Sequence, residues 1–342
     1  MLFFRNDYGK GCIPEILELL NTTNNDAHIG YGQDSICERA KEVIHSKMPD
    51  CDVDIHFITG GTLTNLTMIR SVLRSYEAVI ACDTAHIATH ETGSIEATGH
   101  KVITVPNADG KITAKAIREC VLEHQMSLEH MVFPKMVYIS NATELGTVYT
   151  REELLEIRHV CDEFHLYLML DGARLGCALM SGIDYSLNDL AAWCDLMYIG
   201  GTKNGALFGE AVILSNNELK PYFRYVMKQS GAMLAKGWLL GLQFLALFEN
   251  DAFYHIAKHA NECATVIQDC ADQVGYPFFM KNNTNQVFLV LEPEEYQALS
   301  EKVDFEIWTK QDEKFVIRLV TSWATSMDDV NHLCTLLRQI KI

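Results

Sequence analysis

The stretch Tyr167-Leu-Met-Leu-Asp-Gly-Ala-Arg174, followed one apolar run later by Leu196-Met-Tyr-Ile-Gly-Gly-Thr-Lys-Asn-Gly205, decides the fold. In each half, four consecutive apolar residues stop at small residues and a charge. An apolar run without alternation reads as a strand covered on both faces, the habit of parallel sheets. A charge directly after such a strand sits at its carboxyl end, where ligands of an open α/β sheet bind. The pattern recurs on either side. Ile55-His-Phe-Ile58, Ala78-Val-Ile-Ala81, Val102-Ile-Thr-Val105 and Met136-Val-Tyr-Ile139 lie upstream, and Ala211-Val-Ile-Leu214 lies downstream. Helical patterns separate them, among them Leu63 to Leu73 and Arg151 to Glu163. The second is opened by Thr150 as N-cap, with Glu153 completing a capping box. Residues from about 55 to 215 therefore read as a mostly parallel sheet layered between helices. Beyond about 216, helical patterns over roughly 217–250 and 252–273 precede strands near Gln286–Leu291 and Phe315–Val320 and a helix from Met327. This reads as a connecting helix followed by a small α+β domain.

Composition narrows the function. The 342 residues carry a formal charge of −17, which argues against a nucleic-acid or anionic-membrane surface, because both need a basic face. The eleven cysteines contain no C-x-x-C pair, so neither a zinc site nor a disulfide framework is expected, and no metal is assigned. Met1-Leu-Phe-Phe-Arg lacks a signal-peptide pattern, and the apolar run Trp238 to Phe248 is too short to span a bilayer. A reduced, cytoplasmic location is the expectation.

Three polar elements follow strand-like runs. Thr59-Gly-Gly-Thr-Leu-Thr-Asn65 joins a strand to a helix, and its unpaired N–H groups would suit an anion. It matches neither nucleotide-binding glycine fingerprint, which makes a nicotinamide enzyme a weaker reading; a purely structural turn is the alternative. Asp171 would be costly to bury without a cation. A protonated pyridine nitrogen is one partner, and a helix cap or Arg174 is another. Lys203 lies among small residues at a strand end, where burial or a neighbouring cation would make its amine nucleophilic.

These elements together resemble the threonine aldolase branch of the β-eliminating lyases, pyridoxal-phosphate (PLP) enzymes of the aspartate-aminotransferase fold. The matching segments run from Arg5-Asn6-Asp7 and Tyr31-Gly-Gln-Asp34, through Asp171-Gly-Ala-Arg174 and Lys203, to Ile317-Arg-Leu-Val-Thr321. The resemblance implies a seven-stranded, mostly parallel PLP domain and a smaller C-terminal α+β domain. The implied boundaries are 26–250 for the large domain and 251–342 for the small one, with segment 1–25 packed near the small domain and the site. It implies PLP held on Lys203 as a Schiff base, with Asp171 on the pyridinium nitrogen. Gly60, Gly61, Thr62 and Thr202 would serve the cofactor, and His86 would stack on its ring. Asn6, Arg174 and Arg318 would bind the amino-acid substrate, Arg318 foremost, unless either arginine is spent in a structural ion pair. The implied reaction cleaves a small β-hydroxy-α-amino acid of the L-threonine or L-allo-threonine type to glycine and an aldehyde. Relatives are dimers or tetramers with sites at subunit interfaces, so a homo-oligomer is expected.

Three departures qualify the resemblance. Glu144 stands where many relatives carry a histidine. A carboxyl with a raised pKa could serve as base, or it could simply pair with an arginine. Ser322-Trp323 replaces another histidine. Leu234 occupies the place of a phosphate-binding arginine, for which Lys236 could substitute across a subunit interface. A different PLP reaction, β-elimination or transamination, therefore stays open, as does a non-enzymatic scaffold.

Overall fold

In the computed structural model, which describes residues 1–341, the seven apolar runs assemble into one sheet. Its strands are β1 (Asp54–Ile58), β2 (Glu77–Cys82), β3 (Lys101–Val105), β4 (Phe133–Ser140), β5 (Tyr167–Asp171), β6 (Leu196–Gly200) and β7 (Glu210–Leu214). Their spatial order is β1-β7-β6-β5-β4-β2-β3. β7 runs antiparallel to both its neighbours, and the other pairings are parallel. Strands β2, β6 and β7 are buried along their whole length, as the unbroken apolar runs require of a sheet covered on both faces. The helix Arg151–Glu163 forms with the expected capping box from Thr150 and Glu153.

Register brings the chemistry to one edge. Ser140 pairs with Asp171, Gly200 pairs with Glu210, and Ile58 pairs with Glu210 from the other side. The carboxyl ends of β1, β4, β5 and β6 therefore meet the amino end of the reversed β7. Gly172 and Gly200 make this junction possible. A Cβ on Gly172 would lie 1.9 Å from the Tyr198 carbonyl oxygen, and one on Gly200 would lie 2.5 Å from that of Ala173.

A second sheet holds β8 (Phe278–Met280), β9 (Gln286–Leu291), β10 (Glu306–Gln311) and β11 (Lys314–Val320), all antiparallel, in the order β10-β11-β9-β8. Its own apolar cluster includes Val287, Leu289, Ile317 and Leu319. The amino terminus is tied to this part of the chain. Leu2–Phe3 pairs with Val303–Asp304, and Val320 N–H donates to the Phe4 carbonyl.

One expectation is corrected. The helical pattern over 217–250 is two helices, Phe223–Gln229 and Trp238–Glu249, because Gly231 adopts a left-handed φ of 74° and the chain turns between them. Patterning by hydrophobicity ran across that break. The Ala252–Val274 helix stands as a single element.

Gly172→Ala should destabilise the protein by about 3 kcal/mol or more, since its methyl group meets unyielding backbone. Thermal unfolding should register a lowered midpoint. Gly11→Ala, where nothing lies within 4 Å of an added Cβ, is the control expected to leave it in place.

Candidate active site

At the strand-end edge the chain encloses a cavity of about 380 Å³ lined by Gly61, Thr62, His86, Glu144, Asp171, Arg174, Thr202, Lys203 and Arg318, among others. A larger cleft of about 690 Å³, lined by Lys111, Tyr149, Asp269 and Lys281, lies elsewhere and holds none of these residues. The smaller cavity collects the chemistry, and every sequence-derived site residue except Asn6 and Gly60 lines it. Gly60 is the N-cap of the Gly61–Val72 helix. The Asn6 side-chain Oδ1 accepts from Tyr8 N–H, and it is Tyr8 that reaches the cavity.

Asp171 is 4% exposed and each of its oxygens has two donors. Oδ1 accepts from the Tyr198 hydroxyl and Ala173 N–H, and Oδ2 accepts from the Tyr138 hydroxyl and Asn65 Nδ2. Burial pushes the carboxyl up. The nearby His86 and these hydrogen bonds outweigh it, leaving the pKa below the ordinary carboxylate value. Among the described residues no salt bridge reaches this carboxylate, and Arg174, the alternative partner in sequence, turns elsewhere.

Lys203 is half-buried at the end of the β6 loop. Among the described residues its amine has no ion-pair partner, and burial, followed by the charge of Arg174, pulls its pKa down. His86 opens a short helix, His86–Thr89. Its Nδ1 lies 2.9 Å from Glu91 Oε1, which also accepts from Asn65 Nδ2, while Glu91 Oε2 accepts from the Ser94 hydroxyl. A carboxylate on Nδ1 favours the tautomer protonated there and leaves Nε2 as an acceptor. Glu144 Oε1 accepts from Ser140 Oγ at 2.7 Å and from His86 N–H at 2.9 Å. Its Oε2 is buried without a partner, and burial raises its pKa.

The two arginines are already engaged by protein carboxylates. Arg174 grips Asp7 through Nε at 2.7 Å and a terminal nitrogen at 3.1 Å, with Asn285 Nδ2 on the same carboxylate. Arg318 pairs with Glu306, its register partner on β10, and donates to Gln286, but its Nε is buried and free. Trp308 lies 5.1 Å under the Arg318 guanidinium, at the irregularity between Ile307 and Thr309. Such a bulge re-aims one side chain of a strand. Sequence reasoning missed Asn65, Glu91, Tyr138, Tyr198, Glu210, Glu306 and Trp308. Glu91, five residues after His86, and Glu210, a charge opening an apolar run, carried the clearest local signals.

PLP fits this donor set. Asp171 is a buried carboxylate kept ionised and able to accept a cationic ring nitrogen alongside its rotatable tyrosine hydroxyls. Lys203 is an unpaired amine in the same cavity. The Gly61–Val72 helix begins without a side-chain cap, leaving N–H groups for a phosphate.

Comparison with known proteins agrees. The β-eliminating lyase family model matches residues 13–294. A low specificity L-threonine aldolase of Pseudomonas aeruginosa is 31% identical over 98% of this chain and 97% of its own length. One from another Pseudomonas species is 34% identical over 87% of each. The structure of a Leishmania major threonine aldolase superposes with a TM-score of 0.98 at 44% identity, covering 100% of both chains. Aspartate aminotransferase of Thermus thermophilus, at 14% identity and a TM-score of 0.75 over 99% of this chain and 91% of its own, shares the fold.

Asp7→Asn leaves the Arg174 charge buried without its counter-ion and should cost about 3–5 kcal/mol in urea unfolding. Arg174 and its neighbours hold the Asp7 pKa below the ordinary value despite burial. The wild-type stability from this pair is therefore present above the unfolded carboxylate pKa and lost as pH falls through the lower folded value. Asp7→Asn should flatten that acid dependence.

Proposed function

The chain belongs to the β-eliminating lyase family, and from that premise we propose that it cleaves small β-hydroxy-α-amino acids of the L-threonine and L-allo-threonine type to glycine and an aldehyde. It is a PLP-dependent lyase. The observation that carries the substrate reading is the free Oε2 of Glu144, a buried proton acceptor in the cavity that also holds Lys203 and Arg318. Relatives named low specificity L-threonine aldolases support it.

In this reading Lys203 is the cofactor lysine, and the lowering of its pKa by burial and by Arg174 makes its amine the readier nucleophile. Asp171, its pKa held below the ordinary carboxylate value, would pair with a protonated ring nitrogen. Gly60, Gly61, Thr62 and Thr202 would hold the cofactor's phosphate, and the His86 ring, fixed by Glu91, would pack against the cofactor. PLP, when bound, supplies the sink for the electron pair released as the Cα–Cβ bond breaks. Arg318 takes the substrate carboxylate with its free Nε and by yielding its contact with Glu306; Arg174, held by Asp7, borders the same cavity, and Asn6 acts on it through Tyr8. Glu144 removes the β-hydroxyl proton. The O–H pair becomes the aldehyde carbonyl bond, and a proton returned to Cα completes glycine. A division at residue 250 into a large cofactor domain and a small domain, a homo-oligomer with interface sites, and a cytoplasmic location belong to the same reading.

The test is aldehyde release from L-threonine and L-allo-threonine by PLP-saturated protein, with equimolar glycine. Lys203→Ala should abolish it, and aldehyde persisting in that variant would refute the assignment of the lysine. Glu144→Gln should lower kcat by about 100- to 10,000-fold while still binding glycine. A base must be ionised to act, so activity should rise with pH through the raised Glu144 pKa. This acid limb of kcat/KM should lie above the ordinary carboxylate range and vanish in the glutamine variant.

A further inference from the structure

Glu210 plays no part in the reaction described above, yet it is the first residue of β7 and 4% exposed. Its position follows from the reversal of that strand. β7 alone presents its amino end to the edge where the other site strands present their carboxyl ends, and Glu210 lies between Ile58 on β1 and Gly200 on β6. Both its oxygens reach the loop that carries Lys203. Oε2 accepts from Gly201 N–H at 2.9 Å and Oε1 from the Thr202 hydroxyl at 2.8 Å. The Thr202 oxygen in turn accepts from Gly209 N–H at 3.0 Å. The two residues immediately before the lysine are thus bound to one carboxyl group, and the carboxyl lines the lysine's own cavity.

We propose that Glu210 is a positioning residue for Lys203: its carboxyl pins the loop through Gly201 and Thr202 and is the counter-charge that sets how firmly the Lys203 nitrogen holds its proton. This rests on the reading of Lys203 as the cofactor lysine. The groups facing Glu210 are Thr202 and Lys203 on the loop, Asp171 on β5 and Tyr198 on β6. Those facing Lys203 are Arg174, Asp7, Asp171 and Glu210, together with His90 at the end of the short His86–Thr89 helix. Burial pushes the Glu210 pKa up to about 8, with Lys203 among the groups opposing the rise. Its charge therefore appears near the working pH of an ordinary enzyme, where a neighbouring nitrogen would feel it. Asp171 stays ionised and Asp7 is committed to Arg174. Glu210 is the carboxyl in this set whose charge changes above neutrality.

Glu210→Gln separates the two roles. Its amide oxygen can accept from Gly201 N–H and its NH₂ can donate to Thr202 Oγ, so the loop stays pinned while the charge is gone. The measurement is the pH titration of the visible absorbance of the PLP-loaded protein, which reports protonation of the lysine-bound nitrogen. The midpoint should fall by about one pH unit in Glu210→Gln, as loss of an adjacent negative charge predicts. Glu210→Asp, which keeps the charge, should retain a midpoint above that of Glu210→Gln. An unchanged or raised midpoint in Glu210→Gln overturns the proposal. Should Glu210→Gln fail to fold, Thr202→Val takes its place: removing the hydroxyl that stabilises the carboxylate should lower the midpoint in the same direction, and an unchanged midpoint overturns the proposal equally. A visible band that persists in Lys203→Ala would instead refute the lysine assignment, so the two failures are distinguishable.

Discussion

A carboxylate kept charged in an almost closed interior is the constraint on which the rest of this structure depends. Burying the Asp171 charge without compensation would be prohibitive, and the compensation comes from four donors on separate elements. Tyr138 reaches it from β4, Tyr198 from β6, Asn65 from the Gly61–Val72 helix and Ala173 N–H from its own turn. Those donors converge only if three neighbouring strands hold their register and the helix is seated against them. The glycines at 172 and 200 let β5 and β6 approach closely enough for this. Sheet register and site chemistry are therefore one problem with one solution.

Around that centre the cavity balances charge locally. Three cations, Lys203, Arg174 and Arg318, stand among Asp7, Asp171, Glu144, Glu210 and Glu306. The overall charge of −17 has little bearing on how an anionic substrate is held, because close buried contacts outweigh distant surface charges screened by salt. Arg174 is fully committed to Asp7, which ties the amino terminus to the large sheet. Arg318 keeps one nitrogen without a partner, and its ion-pair partner Glu306 is partly exposed, so water can take over that carboxylate when Arg318 turns to a new one. The difference in engagement separates a mainly structural arginine from one free to bind.

Much of the architecture is legible in the sequence. All seven strands of the large sheet announce themselves as short apolar runs, most plainly β2, β6 and β7, because a strand buried on both faces has no polar side to confuse the pattern. The Thr150–Glu153 capping box was equally plain, since its two partners are three residues apart. The break at Gly231 was not, because hydrophobic periodicity continues on either side of a turn. The short strands Leu2–Phe3 and Val303–Asp304 are invisible singly, as each exists only through the other.

For the site, the sequence by itself determined which residues carry reactive groups and which strand ends present them. Lys203, Asp171, His86, Glu144, Arg174 and Arg318 are all recognisable from local pattern or family resemblance, and all line one cavity. Only the tertiary structure decided how each is partnered. Arg174 and Asp7 are 167 residues apart in the chain, and Glu210 meets the Lys203 loop only because β7 is reversed. Trp308 reaches Arg318 only at an irregularity of its strand. Local pattern depends on neighbours in sequence, whereas the protonation of a buried group depends on whatever the fold sets within a few ångströms of it.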